Sequence, residues 1–245
     1  MRTLVLALLC ALGSGATFAR DANECILAAG PGAVAPDFAL SKVARAIARQ
    51  KLDIAVLGSA SSSLTGAGGI NIAYPAAFEA TLRTALPGVA VKVVTNTGTR
   101  ETAAEMETKL KTILSEMKPA LVVWQTGTGD AIRGVEPDDF RAALDDGVDR
   151  SHAAGADVVL MNQQYSPRTE AVLAVSPYAD AMRMIALQRD IVLFDRFSIM
   201  RRWYENGVFD LYAATRNIDT AQQVHDCLGR LLAKIVLAAA KVTAR

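Results

Sequence analysis

LDIAVLGSASSSLTGAG, from Leu52 to Gly68, decides how the chain is read. Leu52 to Leu57 is a short, β-rich run bounded by Gly58. A run of that length and apolarity fits a strand buried on both faces, as in a parallel sheet. Behind the glycine, four serines occupy the five positions 59–63, and Gly66 and Gly68 follow. A buried strand that ends in glycine and small hydroxyls presents either a nucleophile or a set of backbone N–H donors. A nucleophilic serine needs a general base, and the whole chain holds two histidines, His152 and His225, both far away in sequence.

Outward from this stretch the pattern repeats. VAVKVVTN (89–96), PALVVWQT (119–126), ADVVLMN (156–162) and DIVLFD (190–195) read as four further strands. Helical spacing lies between them: Phe38 to Lys51, AAFEATLRTAL (76–86), ETAAEMETKLKTILSEM (101–117), PDDFRAALDDGVDRSHAAG (137–155), Tyr178 to Gln188 and Phe197 to Glu205. A long last helix spans Thr220 to Lys241 and carries Val224, Leu228, Leu231, Leu232, Ile235 and Val236 on its apolar side. Five apolar strands alternating with helices call for the α/β class: one three-layer α/β/α sandwich around a five-stranded parallel sheet.

In open parallel sheets, ligands bind beyond the carboxyl ends of the strands. The segments expected at the ends of the first four strands are GSASSSLTGAGG, NTGTRE, QTGTGD and NQQYSPR. They are rich in glycine, hydroxyls and amides and poor in charge, which argues against a metal or a dedicated phosphate site, and no cofactor is expected. Composition agrees with an ordinary globular chain: 245 residues, 51% apolar, 21% charged. A net charge of +1, with no dense basic block, gives no signal for nucleic acid.

The N-terminus has Arg2, an apolar run from Leu4 to Leu12, and Thr17-Phe18-Ala19 as a small-x-small site. It reads as a secretory signal over residues 1–19, too short for the ~20 residues of a membrane span, so no span is expected after cleavage. The mature chain is then expected in the periplasm or secreted. Removal of Cys10 leaves Cys25 and Cys227, which in an oxidising compartment read as a disulfide, with two buried thiols as the alternative.

Together these segments resemble the SGNH/GDSL hydrolase superfamily, in an exported bacterial branch that begins GSSS rather than GDS. The resemblance implies a flavodoxin-like SGNH hydrolase fold over 51–245, preceded by an N-terminal extension and helix over 20–50. It rests on Gly58-Ser59-Ala60-Ser61, Asn96-Thr97-Gly98, Gly127-Thr128-Gly129-Asp130 and the Asp219 to His225 region. The early cysteine and the one in the last helix also resemble that branch.

The departures bear on activity. Counted from Gly58, the nucleophile's place falls on Ala60; counted back from Gly66 it falls on Ser62, and a bulged loop would present Ser61 or Ser62. The alternative is that these serines cap the next helix and satisfy loop amides. Gly129 stands where the family has an oxyanion-binding asparagine. Ser59, Gly98, Gly129 and Asp130 are the candidates for oxyanion or loop support, with Arg100 either compensating or paired with Glu101 or Glu105. His152 reads as a helix C-terminal charge. His225 is the candidate base, with Asp219 or Asp210 as its partner if Asp219 caps the last helix. An alignment anchored on Cys227 instead puts the family's D-x-x-H on Arg216 and Asp219 and removes the base.

Two functions follow from the resemblance. One is an exported serine esterase or O-deacetylase of weak or altered activity, acting on a small acyl ester of cell-envelope carbohydrate or lipid. The other is a degenerate member that keeps the fold and cleft as a binding or assembly module.

Overall fold

In the computed structural model, described for residues 24–64, 69–212 and 217–241, five parallel strands form one sheet: β1 (Lys51–Ser59), β2 (Ala90–Gly98), β3 (Leu121–Gln125), β4 (Asp157–Met161) and β5 (Val192–Phe194). Their order is β2-β1-β3-β4-β5. The register pairs Ser59 with Gly98, Leu57 with Trp124, and Gln125 with Met161. Every strand therefore ends at the same edge of the sheet.

Helices in chain order are α1 (Glu24–Ala29), α2 (Ser41–Ala48), α3 (Gly69–Ile72), α4 (Tyr74–Ala85), α5 (Ala103–Met117), α6 (Thr128–Arg133), α7 (Pro137–Ala153), α8 (Pro167–Glu170), α9 (Ser176–Gln188), α10 (Arg196–Glu205) and α11 (Ile218–Ala239). Alternation along the strands sorts them into two layers, because successive side chains leave opposite faces of the sheet. Ile54, Val56, Leu121, Val123, Val159 and Met161 pack against α1, α2, α4, α10 and α11. Leu57, Val122, Trp124, Val158 and Leu160 pack against α5, α7 and α9. This is the expected three-layer sandwich.

Local signals explain the element ends. Thr102 and Glu105 form a capping box at the start of α5. Pro137 opens α7, and His152 lies exposed in its last turn, where a cation complements the helix dipole. Asn217, not Asp219, caps α11, accepting from the Asp219 and Thr220 backbones. The expected helix from Phe38 is shorter, because Lys51 already starts β1. Three short helices, α3, α6 and α8, lie in segments expected as loops.

Cys25 and Cys227 are joined, with Cα atoms 6.2 Å apart and a sequence separation of 202. The bond ties α1 to α11. The Trp203 indole donates to the Cys25 carbonyl (2.8 Å) and Arg202 to that of Ala29 (3.0 Å), fixing the same segment on α10. Residues 1–19, Gly66 and Arg216 lie outside the described residues.

Candidate functional site

Gln125, the last residue of β3, is fully buried and organises the strand-end edge. Its Oε1 accepts from the Ser59 backbone N–H (3.0 Å). The same oxygen faces the hydroxyls of Ser59 (2.9 Å), Ser61 (3.2 Å) and Ser62 (2.9 Å). A backbone N–H can only donate, so it identifies the facing atom as the amide oxygen. The serine hydroxyls are thus turned down onto the floor of the site as donors. Ser62 lies deepest, with no exposure, and also meets the Tyr74 hydroxyl at 3.0 Å. It folds back over Gly58, where a Cβ would overlap its Oγ. Ala60, which opens the 3-10 turn after β1, carries no hydroxyl. Ser61 is half-buried, with the Ser59 Oγ at 3.2 Å.

His225 sits on α11, 6% exposed, its ring stacked at 6.1 Å on that of Tyr74. Gly229, one turn further on, lets α11 press against α4: a Cβ there would overlap the Tyr74 carbonyl. This approach brings His225 Nδ1 to the Tyr74 backbone N–H, which donates to it at 3.1 Å. Tyr74 is the first residue of α4, whose own N-cap, Ala73, has no capping side chain. The imidazole therefore satisfies a helix N-terminal N–H that would otherwise be orphaned. Nδ1 must be unprotonated to accept, so the neutral ring carries its proton on Nε2. That is the reverse of the tautomer a serine-activating histidine uses. Burial, reinforced by the nearby Arg196 charge, lowers its pKa to about 3, whereas a general base works best near the operating pH. Among the described residues, no serine hydroxyl lies within hydrogen-bond distance of the ring. Asp219 is exposed in the first turn of α11, and Asp210, also exposed, accepts from the Tyr212 backbone.

The edge at Gly98 and Gly129, the candidate oxyanion positions, is filled from the other direction. The segment after β2 turns back so that the Glu101 carboxylate covers Gly98; a Cβ on Gly98 would overlap it. The Glu101 backbone in turn crosses Gly129 so closely that a Cβ there would overlap its carbonyl oxygen. Glu101 pairs with Lys109, and Glu105 with Arg133 (2.7 Å). Arg100 pairs with neither carboxylate. Asp130 is fully buried; its Oδ1 accepts from the Ala103 N–H (2.9 Å) and its Oδ2 from the Thr126 hydroxyl (3.4 Å). Burial raises its pKa, partly offset by these bonds. Asp130 thereby joins the start of α6 to the start of α5.

The end of β5 supplies a group that the sequence reading omits. Asp195 caps α10, accepting from the Ser198 N–H (3.1 Å) and the Asn162 amide (2.6 Å). The next residue, Arg196, is 1% exposed. Its Nε donates to the Asn162 carbonyl (3.2 Å) and its Nη1 to the Ser61 hydroxyl (3.3 Å). Its Nη2 is buried without a hydrogen-bond partner among the described residues. Burial lowers its pKa to about 10, which leaves it charged at neutral pH.

The structure thus gathers Ser59, Ser61, Ser62, Gly98, Gly129 and Asp130 at one edge. It places His225 behind Tyr74 and leaves Asp210 and Asp219 outside. Gln125, Tyr74 and Arg196 are the site residues that sequence reasoning missed. Two signals were available: a glutamine closing an otherwise apolar strand, and an arginine directly after the fifth strand.

With this geometry in hand, the chain can be set beside known proteins. The Non-GDSL lipase-like family matches residues 28–242. No curated protein sequence matches the chain. Several solved structures share the fold. A catalytic mutant of Axe2, an acetylxylan esterase from Geobacillus stearothermophilus, aligns with a TM-score of 0.63 at 17% identity, covering 79% of this chain and 97% of that one. LAE5, an alpha/beta hydrolase enzyme from the metagenome of Lake Arreo, Spain, gives 0.61 at 19%, covering 78% and 95%. TesA gives 0.54 at 24%, covering 73% and 99%. These likenesses show a shared fold, the parallel sheet with its flanking helices.

Proposed function

We propose, from the premise that this chain belongs to the Non-GDSL lipase-like family within the SGNH-type hydrolase superfamily, that it binds a ligand at the strand-end edge without hydrolysing it. The observation that carries this reading is the His225 imidazole. Its Nδ1 is taken up by the Tyr74 backbone, so it has no lone pair to accept a serine proton. The surrounding site points the same way. Ser62 is buried and tied to Gln125 and Tyr74, Ala60 lacks a hydroxyl, and the Glu101 carboxylate lies where a developing oxyanion would need donors. A negative group at that position opposes the charge an ester hydrolase must stabilise.

The ligand class is a small acyl ester, or a carbohydrate or lipid of the cell envelope. It follows from the superfamily and from export, with residues 1–19 as a cleaved signal. The Cys25–Cys227 bond is consistent with an oxidising compartment. Intact mass of the protein recovered from its native compartment checks the cleavage site.

A second reading, weak esterase activity, is favoured by one observation. Ser61 is half-buried, and the guanidinium 3.3 Å from its Oγ would stabilise an alkoxide. A fluorophosphonate probe separates the two. The binding reading expects no covalent adduct by mass spectrometry and no p-nitrophenyl acetate turnover above the Ser61→Ala variant. An adduct on Ser61 would overturn it.

A further inference from the structure

Arg196 is held in an arrangement that a protein does not ordinarily tolerate without a reason. A buried cation is normally paired, because an uncompensated charge in a low-dielectric interior is strongly unfavourable. No carboxylate lies within ion-pair distance of Arg196 among the described residues. The nearest candidate in sequence, Asp195, is saturated by Ser198, Asn162 and Arg183. Arg196 also opens α10, a ten-residue helix, at the end where the dipole favours anions and disfavours cations. Its Nη2 is buried and has no hydrogen-bond partner among the described residues. Two other buried side chains at the same sheet edge share this condition: the Gln125 Nε2, at the end of β3, and both amide atoms of Gln163, just past the end of β4. Neutral hydroxyls and amides do not discharge a guanidinium; an oxyanion does, with two parallel hydrogen bonds.

We infer that Arg196, with Ser61 beside it, forms an anion subsite that takes a carboxylate or phosphate group of the bound ligand. The half-buried Ser61 is the way in, since its Oγ now occupies the acceptor position on Nη1 that a ligand oxygen would take. The inference rests on the binding reading above for its location and narrows the ligand from an acyl ester, glycan or lipid in general to one carrying an acidic group.

The test uses the full mature chain with its disulfide intact. Inorganic phosphate and acetate are titrated separately into wild-type protein at constant ionic strength set with chloride, following the unfolding midpoint. A saturable rise complete below ~10 mM, where general salt effects on stability are small, is expected for one of the two; which one identifies the acidic group. Arg196→Gln is expected to abolish the response and Arg196→Lys to weaken it at least tenfold, because a lysine cannot make the paired contact. Should these variants not fold, amide shifts of 15N-labelled wild type locate the site: changes must centre on residues 59–63 and 195–198. No saturable response to either anion overturns the inference. So do changes centred instead on the basic groove of Lys42, Arg45, Arg49 and Lys118 at the opposite edge of the sheet. A fluorophosphonate adduct on Ser61 would sink the non-catalytic reading while leaving phosphate or acetate binding at Arg196 intact, so the two failures are distinguishable.

Discussion

The cap that His225 provides to α4 has a measurable consequence in acid. In the unfolded chain the imidazole titrates near 6.5, and in the folded protein burial lowers that to about 3. Between those values the unfolded state holds the extra proton, so stability falls as pH falls. Integrating the difference gives a loss of about 2 kcal/mol at pH 5 and about 3 kcal/mol at pH 4, relative to pH 7.5. Protonating Nδ1 would also cancel the bond from the Tyr74 N–H, so charge and cap are lost together. His225→Asn is the matched control: the asparagine Oδ1 can accept from Tyr74 and does not titrate. Urea unfolding followed by the fluorescence of Trp124 and Trp203, both fully buried, reads the stability at pH 7.5 and pH 5. The wild type is expected to lose about 2 kcal/mol more than His225→Asn over this interval. Carboxylates such as Asp130 and Asp157, whose pKa values burial raises, titrate alike in both proteins and cancel in the comparison. Equal losses in the two proteins would mean that the ring is solvated and free to protonate. The assignment of His225 as a buried neutral cap, and with it the main argument against a serine hydrolase, would then fall.

Other expectations are simpler to check. Gly129→Asn, which installs the superfamily's usual residue, should destabilise by about 1–3 kcal/mol or more, because its Cβ meets the Glu101 backbone rather than a mobile side chain; the urea midpoint reads it. It should also confer no esterase activity. Reduction of Cys25–Cys227 should lower stability by about 5 kcal/mol in the chain-entropy account of a closed loop of about 200 residues. It should first release the segment around α1, detectable as new protease cleavage there before global unfolding. Asp130→Ala should cost about 1–3 kcal/mol by leaving the buried Ala103 N–H without an acceptor, while Asp130→Asn should recover most of it, as compared by thermal unfolding.

The sheet was legible because a strand buried on both faces leaves a nearly continuous apolar run, and five such runs alternate with helical spacing. The functional edge was legible for the same reason: once the strands are parallel, the segments after them must share one end. What the sequence withheld is direction. Whether Ser61 or Ser62 faces outward depends on Gln125, more than 60 residues away, whose amide draws the hydroxyls inward. Whether His225 points at the site depends on Gly229 letting two helices touch and on α4 lacking its own cap. Arg196 was overlooked because an arginine after a strand is ordinary by type; only its burial and missing counter-ion, both tertiary facts, set it apart.

The departures from the superfamily pattern are not independent losses. Without a side chain at 129, the Arg100–Glu101 backbone can cross that position, and the crossing places the Glu101 carboxylate over Gly98. An asparagine at 129 and the present course of the chain exclude one another, so the oxyanion donors cannot be restored by one substitution. The histidine and the serines are committed in a similar way: each makes a hydrogen bond that a buried partner needs, the Tyr74 N–H in one case and the Gln125 carbonyl in the other. Returning His225 to general-base work would orphan the start of α4, and freeing Ser62 would empty a contact in the core. Among the described residues at this edge, Arg196 is a buried cation without a carboxylate partner, and that charge is what the proposed acidic ligand would meet.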